Sequence, residues 1–270
     1  MKSTKLRHFG LQVVVFICFI AVWWLFTASG HIKEVFLPSP SSVARALIDS
    51  NRCVPIAEGS SNYTCGEQNY FLWQHLLASL ERIAVGVILA IIFGVALGYL
   101  LGMVKWIHAV VEPYLNFLRS LPPLGYMGLL IVWFGIGDAS KGWLLFLAAF
   151  PPITLATIAG VKDTQIERIH AAQTLGASRM QVLSQVIIPS SLPSIMNGIR
   201  IAVGFAWTTV VSAELSNGIP GIGGLAYLAG TQLNTAVTIA CIVVIGICAL
   251  LLDAFIKFLT KVLVPWQGRD

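Results

Sequence analysis

Ile83-Ala-Val-Gly-Val-Ile-Leu-Ala-Ile-Ile-Phe-Gly-Val-Ala-Leu-Gly-Tyr-Leu-Leu-Gly-Met-Val104 carries no charged side chain along its whole length. A hydrocarbon core about 30 Å thick is crossed by roughly 20 helical residues, so this run is long enough to span a bilayer. Similar runs recur on either side, at about Leu11–Ala28, Tyr114–Ile136, Trp143–Val161, Ile195–Leu215 and Ala236–Phe258. Of the 270 residues, 57% are hydrophobic and 11% are Asp, Glu, Lys or Arg, against roughly 25% charged in a soluble domain. So few charges cannot wet the surface of one or two soluble domains. The expected fold class is an all-α polytopic membrane protein with six transmembrane helices.

The first run follows Lys2, Lys5 and Arg7, a pattern shared with signal peptides. Its length, Trp23-Trp24 and the lack of a small-x-small cleavage site favour a retained first span. The third is interrupted by Pro122-Pro123 and the fourth contains Pro151-Pro152. The organisation expected is a tail and first span over residues 1–30, an outer loop over 31–82, a core over 83–258 that includes a loop at 163–193, and a tail over 259–270. In the outer loop a turn cluster at Pro38–Ser41 precedes a short amphipathic piece, Val43–Ile48.

With the amino terminus inside, Lys2, Lys5, Arg7, Lys105, Lys162, Arg168, Arg179, Lys257, Lys261 and Arg269 fall in internal segments. Lys33, Arg45, Arg52, Arg82 and Lys141 fall in external ones. Ten against five places both termini in the cytoplasm, because basic loops remain on that side. The net charge of +5 is explained in the same way. No basic patch interleaved with aromatics marks a nucleic-acid surface. The cysteines form no metal framework. Cys18, Cys241 and Cys248 lie in apolar runs, whereas Cys53 and Cys65 lie in the outer loop near Pro55, Gly59 and Gly66, either as a disulfide or as two free thiols. The Asn62-Tyr63-Thr64 sequon matters only in a eukaryotic secretory pathway.

The internal loop is the most informative polar segment: His170-Ala-Ala-Gln-Thr-Leu-Gly-Ala-Ser-Arg-Met-Gln-Val-Leu-Ser-Gln-Val-Ile-Ile-Pro189. It reads as two short helices. The first ends near Leu175, with Gly176 suited to the left-handed position beyond a helix. Ser178 and Gln181 form a capping box for the second, which Pro189 and Pro193 are expected to terminate before the fifth span. Small residues at Ala171, Ala172 and Gly176 allow another surface to approach closely.

This stretch resembles the EAA loop of ABC-importer permeases. Ala171, Ala172, Gly176 and Pro189 match at the family's spacing, Val186 and Ile188 are conservative matches, and His170 replaces the Glu. Leu121-Pro-Pro-Leu124, Val132-Trp-Phe-Gly-Ile-Gly137, Gly198-Ile-Arg200, Ala213-Glu-Leu215, Leu72-Trp-Gln-His-Leu76 and Pro265-Trp-Gln-Gly268 extend the likeness. It runs from about Phe36 to Gly268, apart from the insert near Asn51–Tyr70. The permeases for taurine, alkanesulfonates and nitrate are the most similar, taurine above all. The resemblance implies a type I ABC importer permease fold in a bacterial inner membrane and a second permease copy as homodimer partner. It also implies two ATPase subunits that bind ATP and Mg, and a periplasmic substrate-binding protein. His170, Ala171, Ala172, Gly176, Ala177, Ser178 and Arg179 would take the coupling contact. The chain itself has no Gly-x-x-x-x-Gly-Lys-Ser/Thr phosphate loop, so nucleotide chemistry is assigned to another subunit, with no catalytic or metal site here. Gly218–Gly224 reads as a turn-rich external loop.

Six residues are candidates for the translocation pathway. Arg119 and Arg200 lie about a turn inside internal ends, either as snorkelling anchors or as anion contacts, and Arg119 is two turns from Glu112. Trp207, Thr208 and Ser212 interrupt the fifth apolar run. The two hydroxyls lie four apart, either bonding back to their own helix or forming a polar wall. Glu214, near the outer end, is a candidate for gating or partner contact, or a solvated terminus. Asp253 is placed to pair with Lys257. Gly94, Gly98 and Gly102 fall on one face, where small residues let helices pack closely. An ion-coupled secondary transporter would need acidic or His groups deep in the membrane, and an embedded enzyme a His or carboxylate constellation there. Glu112, Glu214 and Asp253 lie near span ends, and His8, His31, His75, His108 and His170 outside the spans, so both alternatives are disfavoured.

Overall fold

The computed structural model describes residues 2–30, 32–55 and 63–266. His31, Gly59, Asn62 and Gln267–Arg269 lie outside the described residues. Helices dominate: α1 Lys2–Ala28, α2 Pro40–Asp49, α3 Leu72–Met103, α4 Lys105–Ser120, α5 Met127–Phe134, α6 Asp138–Lys162, α7 Ile166–Thr174, α8 Arg179–Val182, α9 Ile188–Ala213, α10 Ile222–Thr231 and α11 Thr235–Leu263. Among the described residues, α1, α3, α6, α8–α9 and α11 provide five helical stretches long and apolar enough to cross a membrane. A sixth crossing needs α4 and α5 to count as one, and they meet at a bend of 97°.

That bend falls where Pro122-Pro123 interrupts the expected third span. Proline disfavours the helical region for the residue before it and lacks an N–H. Leu121 and Pro122 are accordingly extended, and the chain resumes as a short 3₁₀ turn at Pro123–Tyr126 before α5. The outer loop is also shorter than expected, because α3 begins at Leu72. Arg82 and Lys141, counted in the external segments between expected spans, instead lie buried within α3 and α6. His75 likewise sits inside α3. It is fully buried, accepting from the Gly221 N–H through Nδ1 (3.1 Å) with Nε2 3.1 Å from the Glu67 carbonyl.

The chain divides into two compact units. One comprises residues 1–76 and 219–245. Ser39 caps α2 by accepting from the Ser42 N–H at 3.2 Å, and Trp23 Nε1 donates to the Pro38 carbonyl at 3.1 Å. Its core joins Leu72, Ile222, Leu225, Val237 and Cys241, with Ala46 and Leu47 of α2 against them. Strands β1 Cys53–Pro55 and β2 Tyr63–Cys65 pair antiparallel with Cys53 opposite Cys65, and the two sulfurs are bonded. Denatured protein isolated without reductant should therefore add alkylating mass at Cys18, Cys241 and Cys248 alone. Labelling of all five cysteines before reduction would reject the bridge.

The other unit comprises residues 77–218 and 246–270. Helix α6 lies at its centre, and the glycine face of α3 packs on it. A methyl group at Gly98 would come within 2.4 Å of Thr157 Cβ, and one at Gly102 within 2.7 Å of Val161 Cβ. On its other side, a methyl at Gly198 of α9 would approach Ala156 Cβ to 2.3 Å. Little apolar driving force exists between helices in lipid, so dispersion at close approach holds such pairs together. The glycines serve packing within the subunit.

Candidate functional site: the loop after α6 and the ion pairs of the helical core

The loop after α6 is built by local capping. Gly176 has φ +85°, a conformation that strains any residue carrying a Cβ. Around it the Gly176 N–H donates to the Gln173 carbonyl (2.9 Å) and the Ala177 N–H to that of Ala172 (3.0 Å), the paired bonds of a Schellman ending. Two residues on, the Ser178 N–H donates to Gln181 Oε1 (2.8 Å) while the Gln181 N–H donates to Ser178 Oγ (3.4 Å). Both halves of the capping box are formed, and they start α8 in a new direction.

Pro189 and Pro193 do not end the helix that follows, contrary to expectation. A π-helical turn at Leu183–Ile187 inserts between α8 and α9. Widening the turn there accommodates the missing N–H of Pro189 near the start of α9. The loop thus joins α9 through continuous helical backbone from Arg179 to Ala213.

The small residues divide into two sets. Ala172 and Ala177 are half-buried against Val161, Val182 and Ile187, a cluster that also holds Tyr99 and Ile169. His170, Ala171, Gly176, Ser178 and Arg179 are exposed. Leu175 and Met180 join them, 88% and 70% exposed. These two large apolar groups in a polar loop went unnoticed in the sequence reading, although their placement beside a left-handed glycine was a usable signal. A groove of about 660 Å³ runs beside the loop, lined by Asp163, Arg168, Gln185, Pro189 and Trp266 among others.

The ionisable residues of the helical core are paired. At one end of α9, Arg82 Nη1 lies 2.6 Å from Glu214 Oε1 and Arg82 Nε lies 2.7 Å from Asp138 Oδ1. Ser79 Oγ donates to Glu214 Oε1 at 2.7 Å, and Lys141 Nζ donates to the Asn217 carbonyl. Glu214 is 1% exposed, which overturns the solvated-terminus reading. Toward the other end, Asp253 of α11 joins Arg200 of α9 through Oδ1 and Lys257 through Oδ2 (2.7 Å). Glu112 contacts His108 Nδ1 at 3.3 Å instead of Arg119, which is exposed at the end of α4.

The hydroxyls of α9 bond along their own helix: Thr208 Oγ1 to the Phe205 carbonyl (3.0 Å) and Ser212 Oγ to the Thr208 carbonyl (3.1 Å). Trp207 is buried, and its Nε1 has no hydrogen-bond partner among the described residues. Helix α10 was also missed. It starts at Ile222, within the Gly-rich stretch expected to be a loop, and its Ile222, Gly223, Gly224 and Leu225 are buried.

Residues 86–269 match the family described as the binding-protein-dependent transport system inner membrane component. The chain belongs to that family. It is a multi-pass permease subunit of an ABC importer, a transport component without catalytic activity of its own. Among its relatives, the Escherichia coli taurine transport system permease protein TauC is 39% identical over 263 residues, covering 97% of this chain and 92% of TauC. The bicarbonate transport system permease protein CmpB of Synechococcus elongatus is 30% identical over 95% of this chain and 90% of its own. The permease also superposes on a chain of the MetNI methionine ABC transporter in an inward-facing conformation. That match has TM-score 0.65 at 20% identity and covers 73% of this chain and 99% of the other. The likeness is one of fold, that of type I ABC importer permeases. The matched family segment takes in α6, the capped loop and α9 together.

Proposed function

We propose that this permease forms the pathway for taurine or a closely related sulfonate, working by alternating access in a bacterial inner membrane. The observation that supports the substrate class is the 39% identity to TauC over nearly the full length of both chains. Two copies would enclose the pathway, two ATPase subunits that bind ATP and Mg would dock on the loop around His170–Arg179, and a periplasmic binding protein would deliver substrate. The positive-charge asymmetry supports cytoplasmic termini. The mechanism requires two arrangements of comparable free energy, which the partners bias. Because α8, the π turn and α9 form one continuous element, displacement of the loop by an ATPase would be carried into a spanning helix. Of the pathway candidates on α9, Ser212 retains surface and we keep it as a lining group, whereas Thr208 lines a crevice against α11. The ion-paired Glu214 is assigned instead to holding helices together.

A second reading, another small anion such as bicarbonate or nitrate, is favoured by the likeness to CmpB. Reconstitution of the permease with its ATPase and binding protein separates these readings. Taurine uptake should require ATP in the cytoplasmic compartment and should saturate with binding protein. Uptake by the permease alone on an ion gradient would overturn the importer mechanism. Bicarbonate or nitrate transported in place of taurine would overturn the substrate.

A further inference from the structure

Helices α9 and α11 leave two cavities between them, and the two differ in chemistry. The first, about 360 Å³, is lined by Ser194, Asn197, Arg200, Lys257 and Thr260, with Pro193 and Met196. The second, about 190 Å³, shares Arg200 with the first and includes Asp253 in its wall. Apart from Thr208, the rest of its lining is Val203, Gly204, Trp207, Ala249, Leu252 and Ile256. One helix pair thus frames a polar chamber joined at Arg200 to an apolar crevice. That is the shape of an amphiphile.

The charge balance narrows the choice. Arg200 and Lys257 contribute two positive charges and Asp253 one negative, and the carboxylate is engaged by both cations. The chamber therefore has an excess of one positive charge. Arg200 uses Nε in that pair, which leaves its Nη groups as donors in a fixed fork. Asn197 and Ser194 add polar groups on the same wall. A phosphodiester carrying a single net negative charge fits this set, whereas a zwitterionic headgroup cancels the attraction. Basic pockets between spanning helices at the cytoplasmic side are a recurrent setting for anionic lipid headgroups.

The surroundings favour a lipid over a soluble anion. Leu250 lies two turns from Lys257 toward the middle of α11, on the same face, and is 73% exposed. An acyl chain leaving the chamber meets apolar surface at once, in the crevice and at Leu250. A small sulfonate would gain nothing from either. We propose that an anionic phospholipid occupies this paired cavity, its phosphate held between Arg200 and Lys257 and one acyl chain in the crevice. The lipid thereby fixes the spacing of α9 and α11 at the end that carries the coupling loop. The proposal rests on the membrane location of the permease, and it holds whichever anion is transported.

The test uses the full-length permease, delipidated in detergent and offered phosphatidylglycerol or phosphatidylcholine of identical chains, with bound lipid read by native mass spectrometry. Phosphatidylglycerol should be retained and phosphatidylcholine should not. Lys257→Gln should lower phosphatidylglycerol affinity about fivefold, the effect of one cation near a lipid surface. Gly204→Leu adds a side chain at the crevice wall, at a position where an added Cβ meets nothing within 4 Å. It should displace the lipid without altering any charge. Equal retention of the two lipids, or undiminished phosphatidylglycerol on either variant, overturns the proposal. So does displacement of the lipid by millimolar inorganic phosphate or taurine, which would assign the chamber to a soluble anion. Because no transport is measured, these outcomes are independent of the uptake assay.

Discussion

Gly176→Glu should reduce ATP-dependent uptake to background and abolish recovery of the ATPase subunits with the permease. The argument begins with one backbone angle. Gly176 has φ +85°, and a residue with a Cβ in that region costs about 1–2 kcal/mol. The two bonds that end α7 depend on that conformation, because they return the Gly176 and Ala177 N–H groups to the Gln173 and Ala172 carbonyls. Relaxing the strain would break them and turn Leu175 away from its position beside the glycine. Added to this is a carboxylate on a face that now presents Ala171, Leu175, Gly176 and Met180 to solvent. An apolar, shape-dependent contact cannot take in a buried unpaired charge cheaply. Gly176→Ala isolates the backbone contribution, and its 1–2 kcal/mol translates into a loss of affinity of about tenfold. Membrane insertion should be unaffected by both substitutions, since the loop lies outside the spanning segments. Pull-down with the tagged permease measures the first effect and size exclusion in detergent the second. Normal ATPase recovery with Gly176→Glu would move the docking site elsewhere on the chain.

How much of this was legible in the sequence follows from the range of the forces involved. Capping is local. Gly176, Ser178 and Gln181 lie within a few residues of the groups they bond, so both the Schellman ending and the capping box could be read from spacing alone. The glycine face of α3 was legible for the same reason, because helical periodicity places Gly94, Gly98 and Gly102 together wherever the partner helix lies. The partners were not legible. Arg82 and Glu214 are 132 residues apart, and nothing near either residue announces the other. Arg82 was therefore counted in the outer loop, and Glu214 was left open between a gating or partner contact and a solvated terminus. Proline was over-read: Pro189 was taken as a stop, yet a single wide turn passes it into α9. Helix α10 was lost to the opposite bias, since a Gly-rich helix bounded Ile222–Thr231 resembles a loop in composition and becomes a helix through burial of its first turn. The capped turn at Gly176–Gln181 was legible at the level of the motif. The inward packing of Ala172 and Ala177 was not, because it depends on Val161 and Ile187 arriving from other helices.

Glu214→Ala should be the most destabilising single substitution in the helical core, and its physical basis distinguishes a structural ion pair from a pathway group. Glu214 accepts from Ser79 Oγ at 2.7 Å and faces Arg82 Nη1 at 2.6 Å, so α3 and the end of α9 are tied at one carboxylate. Removing it leaves a guanidinium that is only 8% exposed without its buried counter-charge. Breaking a buried pair from one side costs about 3–5 kcal/mol, because the remaining charge stays desolvated. Asp138 limits the loss: its contact with Arg82 Nε survives, but that carboxylate is 72% exposed and is screened by water. The thermal midpoint of the detergent-solubilised permease should therefore fall by several degrees with Glu214→Ala. Arg82→Leu combined with Glu214→Leu should recover most of that loss, because apolar replacement of both partners removes the desolvation cost together with the attraction. Were Glu214 a pathway group in contact with substrate, the double variant would fold well and fail to transport. If its charge serves to hold helices together, the double variant should regain uptake as it regains stability. A double variant that is no more stable than Glu214→Ala would show that the pair is not the source of the effect, and the two readouts together decide which role the carboxylate has.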